Sequence, residues 1–235
     1  MAKMVGFACN IKPSWMHYSV QLLEENLTEN EYKEKLNTYL SYEIDSPTRL
    51  RKTREILMRI WFKEDDDYSN IRKQAVNIIK QYSDYDTTVY LCMIYLFYPV
   101  VADVSKFMGK LFEFKDEITN SVLNQKLYDE WGERETLKTV CRRVTLTMKD
   151  MGFMINESRL RYKLIKKNIT KPEVVNFILT AAMQADGGSY YTFANLNNFY
   201  ILVPFEYQVS KEQLMNDENF SLNTYDGQLC ISLKS

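Results

Sequence analysis

The chain has 235 residues, 46% hydrophobic and 26% charged, with only 7 Gly and 5 Pro. This balance excludes a disordered or low-complexity protein and permits a sizeable core in one large or two small domains. The formal net charge of −1 conceals an uneven distribution: +8 over residues 134–171, −5 over 172–235 and −4 over 1–133.

Cys9, Cys92, Cys141 and Cys230 are singletons without the paired spacing of zinc or redox sites, and residues 1–15 show no signal-peptide pattern. Both features predict a cytoplasmic protein with reduced thiols. Beyond His17, residues 18–41 predict one or two helices broken at Asn26-Leu27-Thr28, with Thr28 capping the second. Ser46-Pro47 supplies a cap and a preset first position for a helix over 47–62. Leu50, Ile56, Leu57, Ile60 and Trp61 share one side of it, and Arg49, Arg51, Lys52, Arg54 and Arg59 occupy the other. The acidic run 64–67 ends that helix, and Ile71, Ala75, Ile78, Ile79 and Tyr82 repeat at helical spacing over 68–82.

Residues 87–104 carry one charge, Asp103, and satisfy a hydropathy scan for a membrane span. Pro99 interrupts the run, Tyr90, Tyr95 and Tyr98 lie within it, and its apolar part is shorter than the roughly 20 residues a bilayer requires. The expectation is a buried helix capped by Asp86, a turn at Pro99, and a further helix to about residue 114 striped by Val100, Val104, Phe107, Met108 and Leu111. No membrane partner is expected.

From Asp116 a helix over 116–130 (Ile118, Val122, Leu123, Leu127), the tripeptide Trp131-Gly132-Glu133 and a helix over 134–151 closed by Gly152 predict a helix-turn-helix. Phe153-Met154-Ile155, a turn at Asn156-Glu157-Ser158 and rough alternation over 160–166 add a hairpin, which completes the order of a winged helix. A helix over 172–184 is broken by Asp186-Gly187-Gly188; the tail offers a strand over 199–205 and a last apolar run over 229–233 after Asp226-Gly227. The fold class expected is mainly α. A helical N-terminal domain spans 1–115, a winged helix-turn-helix-like portion 116–185, and an acidic Tyr/Asn-rich extension with a small β element 186–235.

Within 134–151, Leu137, Val140, Cys141, Val144, Met148 and Met151 form an apolar stripe, while Arg134, Lys138, Arg142 and Lys149, with Arg143 beside them, form a cationic face. Arg159, Arg161 and Lys163 alternate along the hairpin and are expected on one face, followed by Lys166 and Lys167. Long basic side chains reach phosphate oxygens, and Arg or Lys pairs with guanine in the major groove, so these ten residues are candidate contacts to double-stranded DNA. A merely solvated basic face is the competing reading. Arg49, Arg51, Lys52 and Arg54 make a second candidate contact, although pairing with the acidic run 64–67 is favoured for them.

An enzyme is not expected. His17 is the one histidine and has no acid or cysteine beside it in the sequence, the consecutive carboxylates at 64–67 point in different directions, and no glycine-rich phosphate loop occurs. Neither a catalytic residue nor a metal or cofactor is therefore assigned.

Four stretches together resemble the A protein family of bacterial BREX phage-defence systems. They are Ser46-Pro47-Thr48 leading into Arg51, Arg54, Ile56 and Arg59; the apolar stretch 91–111; Trp131, then Thr136-Leu137-Lys138, closing at Met151-Gly152-Phe153; and 169–179 with Pro172. The resemblance spans roughly residues 20–180. It implies a cytosolic helical protein whose winged-helix portion binds double-stranded DNA and which works beside a methyltransferase and an ATPase. Gly132 stands where the family pattern has Ser, and the tail after Tyr190 has no counterpart in it. The rival reading is an interaction subunit that docks an acidic partner through its basic block and never touches nucleic acid. RNA binding ranks third, for want of an aromatic single-strand platform, and a metal-dependent nuclease last.

Overall fold

The computed structural model describes residues 6–62, 68–225 and 227–234. After an extended segment over 6–12, α1 (Pro13–Leu22) starts on its proline. α2 (Glu29–Ser41) begins at the expected Thr28, in a capping box: the Thr28 hydroxyl accepts from the Glu31 N–H, and the Glu31 carboxylate accepts from the Thr28 N–H at 2.8 Å. α3 (Pro47–Trp61) is capped by Ser46 and buries Ile56, Leu57, Ile60 and Trp61. α4 (Ser69–Gln81) follows. The acidic run 64–67, and with it the expected pairing to the arginines of α3, lies outside the described residues.

α5 (Asp86–Phe97) has Tyr85 at its cap, so Asp86 is the first helical residue and not the cap that the sequence suggested. Every residue from Thr88 to Phe97 is buried, which explains a helix without a polar face. α6 (Pro99–Phe112) departs at 115° to the helical stretch before it, and no single helix among the described residues is long and apolar enough to cross a membrane. Gly109 of α6 touches the backbone of the 3-10 turn Tyr200–Leu202: a Cβ there would lie 2.6 Å from the Tyr200 carbonyl oxygen.

The helix expected over 116–130 begins later. Ile118 belongs to β1 (Ile118–Thr119), and α7 (Asn120–Trp131) starts after it, with the Thr119 hydroxyl accepting from the Val122 N–H. The helix expected over 134–151 is broken into a 3-10 turn, Glu135–Leu137, and α8 (Val140–Asp150). The two pieces meet at a turn over Lys138-Thr139 whose backbone stays in the right-handed region, and Leu137 is buried; the β-branched, hydroxyl-bearing Thr136 and Thr139 weaken the helix there. β2 (Met154–Ser158) and β3 (Arg161–Leu164) form the hairpin. With a bulge between Asn156 and Ser158, β2 runs three residues further than expected, so the turn falls at Arg159-Leu160 instead of 156–158. β3 lies between β1 and β2, all antiparallel, with Ile118 opposite Tyr162 and Met154 opposite Leu164. Helix α6 is thus followed by strand β1, helices α7 and α8 and the hairpin β2-β3, whose β3 pairs with both β1 and β2.

β4 (Lys167–Asn168) leads into α9 (Pro172–Asp186), which packs on α5 and ends at Gly187 with φ 73°. Then come β5 (Tyr191–Thr192), α10 (Phe193–Asn197), β6 (Phe205–Glu206), α11 (Lys211–Met215), β7 (Phe220–Tyr225) and β8 (Gln228–Leu233). The strand expected over 199–205 shrinks to β6, which pairs in parallel with β4. Ile201 and Leu202 both enter the core from the 3-10 turn, and Pro204 cannot donate to a ladder. β8 runs between β5 and β7 as the small C-terminal sheet. One apolar cluster joins all these parts, from Phe7 through α5, α8 and α9 to Ile231. The molecule is mainly α with small β elements.

Candidate nucleic-acid interface

All six residues of the expected apolar stripe, Leu137, Val140, Cys141, Val144, Met148 and Met151, are buried. That fixes the rotation of α8 and turns Arg142 and Lys149 outward, seven residues apart on one face. Arg134 and Lys138, both exposed, flank the 3-10 turn Glu135–Leu137 and lie outside α8, so they are not part of its face as expected. Lys138 pairs with Glu135 at 2.5 Å, a hydrogen bond that raises its pKa.

Arg143 turns toward the segment 6–12 and donates to the Phe7 carbonyl at 3.1 Å. The same segment meets α8 twice more: the Ile11 N–H donates to Thr147 Oγ1 at 3.0 Å, and Asn10 Nδ2 donates to Asp150 Oδ2 at 3.3 Å. Arg49 of α3 donates to Asn10 Oδ1 at 3.5 Å from the other side. Residues 7–11 are therefore a strap between α3 and α8, and it creates a groove of about 540 Å³ lined by Arg49, Lys52, Thr139, Arg142 and Arg143. No carboxylate lines this groove among the described residues. Four cations from two helices roughly ninety residues apart thus face one space without internal neutralisation, the condition under which a phosphate competes well for them.

The other two cations expected on α3 go elsewhere. Arg51 pairs with Glu55 at 3.0 Å, and Arg54 donates to Asn37 Oδ1 at 3.0 Å. Arg54 and Lys52 also border a neighbouring groove of about 900 Å³, whose lining includes the carboxylates Glu29, paired with Lys33, and Glu55.

Of the three hairpin cations expected on one face, Arg161 and Lys163 share one and Arg159 does not. Arg159 lies in the exposed turn, while Arg161 and Lys163 project from β3 toward Glu117, at 3.2 Å and 3.9 Å, and Lys163 also meets Glu157 at 2.9 Å. The Glu157 hydrogen bond, aided by Glu117, raises the pKa of Lys163. Lys149 ties α8 to this hairpin through Asn156 Oδ1 at 2.6 Å. Lys166 is exposed near Gly109, Phe112 and Tyr200. Lys167 is half-buried: its ammonium donates to the Asp84 carbonyl and lies 5.4 Å from the Tyr85 ring centre, and desolvation lowers its pKa. Lys171 sits over the Tyr82 ring. The basic block therefore does not form a single outward surface: β4 carries its last lysines against the connection between α4 and α5.

His17, without acids near it in sequence, has two ionisable neighbours in space: Tyr90 Oη at 3.3 Å and Asp86 Oδ2 at 3.8 Å from its Nδ1. Burial raises the Asp86 carboxyl, offset in part by His17. No cysteine or serine nucleophile is hydrogen-bonded to this histidine among the described residues. The four cysteines are free and buried, with the Cys141 thiol pushed up to about 12 by desolvation. Among the described residues no three His, Cys, Asp or Glu side chains are grouped to hold a metal ion.

The convergence of α3 and α8 escapes a reading of local patterns because the strap residues Phe7, Asn10 and Ile11 look like ordinary loop and core positions. A scan against protein-family models, a search of curated proteins and a search of solved structures each return no match to this chain.

Proposed function

We propose that the protein is a non-enzymatic component that binds double-stranded DNA, with α8 as the helix presented to the major groove and the α3–α8 groove holding the adjoining phosphates. The observation that carries this reading is the acid-free groove lined by Arg49, Lys52, Arg142 and Arg143 beside the outward face of α8. Phosphate contacts supply most of the affinity of such an interface and side chains on the inserted helix supply its selectivity. The resemblance to the A protein family of BREX systems supports a place in bacterial phage defence, in the cytoplasm, beside a methyltransferase and an ATPase. The test is a mobility-shift titration on duplex DNA, single-stranded DNA and RNA across a salt series. Duplex binding that weakens steeply with salt is expected, and affinity for duplex that is absent or insensitive to salt would reject the proposal.

One observation favours the alternative of a docking subunit. Glu117 and Glu157 already neutralise Arg161 and Lys163, which leaves the hairpin flank mixed in charge, as many protein-binding surfaces are. A pull-down with nuclease present separates the two readings, because a partner retained after nucleic acid is destroyed is held by protein contacts.

A further inference from the structure

Strand β7 is an outer strand of the C-terminal sheet: β8 pairs with it on one side, and no strand among the described residues pairs with it on the other. The Lys234 N–H donates to the Asn219 carbonyl at 2.8 Å, which sets the alternation of this ladder. Ser221, Asn223 and Tyr225 therefore bond to β8, and the N–H and C=O groups of Leu222 and Thr224 point away from it. The Phe220 N–H is taken by the Asp217 carbonyl at 3.4 Å, so the open rungs begin at Leu222. Such an edge is a template for another strand, and proteins ordinarily blunt theirs with lysine, proline, a bulge or a covering segment. β7 reads FSLNTY, without charge or proline, its register with β8 runs without a bulge, and Asn223 and Thr224 are exposed.

The strand begins beside an acid-lined pocket. Asp217, Glu218 and Asn219, which lead into β7, close a cavity of about 260 Å³ whose other walls include Gln74 and Gln81 of α4 and Glu173 of α9. Three carboxylates line it and, among the described residues, no lysine or arginine does. Asp217 is held by neutral donors, Asn176 Nδ2 at 2.6 Å and the Asn219 N–H at 2.8 Å. An open edge binds any extended backbone, and an adjoining pocket selects the side chain. Carboxylates and amide oxygens together suit an ammonium or guanidinium, which they both charge-pair and hydrogen-bond. A second copy of this chain fits less well, because β7 against β7 sets two portions of net charge −5 side by side.

We propose that β7 is a docking edge for an extended, basic segment of a partner protein. The segment adds a strand to the C-terminal sheet along Leu222 and Thr224 and places a lysine or arginine in the pocket of Glu173, Asp217 and Glu218. This surface uses none of the residues of the α3–α8 groove, and the proposal stands independently of the duplex-binding reading.

The probes are labelled peptides of about ten residues in which Thr and Val alternate, with lysines at one end or at the other, because an added strand can run either way. A control peptide carries glutamate in place of lysine. Anisotropy is expected to show a basic peptide binding in a salt-sensitive manner and the acidic one not binding. Hydrogen exchange is expected to slow at the Leu222 and Thr224 amides when the basic peptide is added. Thr224→Pro removes an outward donor and leaves the bonds to β8 in place. That variant, and Glu173→Gln combined with Glu218→Gln, are each expected to weaken binding about tenfold with unchanged circular dichroism. Failure of both basic peptides to bind at about 1 mM overturns the proposal, as does equal binding of the acidic peptide or a folded Thr224→Pro protein that binds like wild type. The exchange measurement needs no variant, and amides at Leu222 and Thr224 that stay unprotected under bound peptide overturn it too. A dimer of the protein alone that Thr224→Pro dissociates in sedimentation assigns the edge to a second copy and rejects the basic partner.

Discussion

Replacing Arg49, Lys52 and Arg142 together by Gln removes three of the four cations that line the α3–α8 groove. Lys52 and Arg142 are exposed, Arg49 has only a long contact to Asn10, and Gln keeps helix propensity, so the fold should persist. Six cations face the proposed duplex: these three with Arg143, Lys149 and Arg159. Counterion release at that number gives a log–log salt slope of about −5, and removal of three reduces it to about −2.7. Between about 50 and about 200 mM salt the wild-type affinity then falls on the order of 10³-fold and that of the triple variant about fortyfold. Anisotropy titrations with a labelled duplex at three or more salt concentrations read the slope directly, with circular dichroism to verify folding. A folded triple variant whose slope equals that of wild type would refute the assignment of the groove to phosphate.

Three further outcomes follow from particular contacts. Gly109→Ala drives a methyl into the Tyr200 backbone, which cannot yield as a side-chain tip would, and should cost about 1–3 kcal/mol in a denaturant titration; a neutral result would mean that the 200–202 turn shifts freely on α6. Lys167→Gln loses the bond to the Asp84 carbonyl and the contact with the Tyr85 ring. It should lower the melting temperature by about 2–4 °C and leave duplex affinity unchanged, whereas a loss of affinity like that of Arg142→Gln would return Lys167 to the DNA face. Glu43 is held below the usual carboxylate range by its hydrogen bond from Lys12, with a smaller contribution from the Trp15 indole. A carboxyl lowered in the folded state lends stability above its unfolded pKa and loses it as pH falls through the folded value. Glu43→Gln should therefore cost at most about 1 kcal/mol at neutral pH, and its difference from wild type should vanish in acid, below the carboxyl's folded pKa; a difference that persists there would assign the effect to packing.

The elements that were legible in the sequence are those with both a stop signal and a periodic face. Thr28 with Glu31, Ser46 with Pro47, and Pro172 with Gly187 mark helix ends through local chemistry, and each holds in the structure. The apolar stripe of α8 was equally readable, because burial of one side follows from spacing alone. The failures lie where tertiary contacts override local pattern. Ile118 fits a helical stripe as well as it fits a strand opposite Tyr162, and only the hairpin decides between them. Residues 199–205 read as a strand since a continuous apolar run carries no period, and the packing of Tyr200 on Gly109 makes most of it a turn. Glu117, forty-odd residues before Arg161 and Lys163, could not be recognised as their partner. The strap that joins α3 to α8 leaves no trace in periodicity, so two basic faces that looked separate become walls of one groove.

The strap also has a consequence for how the protein is made. Ile11 waits for Thr147 and Phe7 for Arg143, each 136 positions further along. During synthesis the first of these partners emerges long before the second, and contacts of such separation are slow to close. α8 therefore cannot reach its final seat until most of the polypeptide has left the ribosome, and an excised fragment beginning at residue 116 would carry a helix deprived of one of its supports.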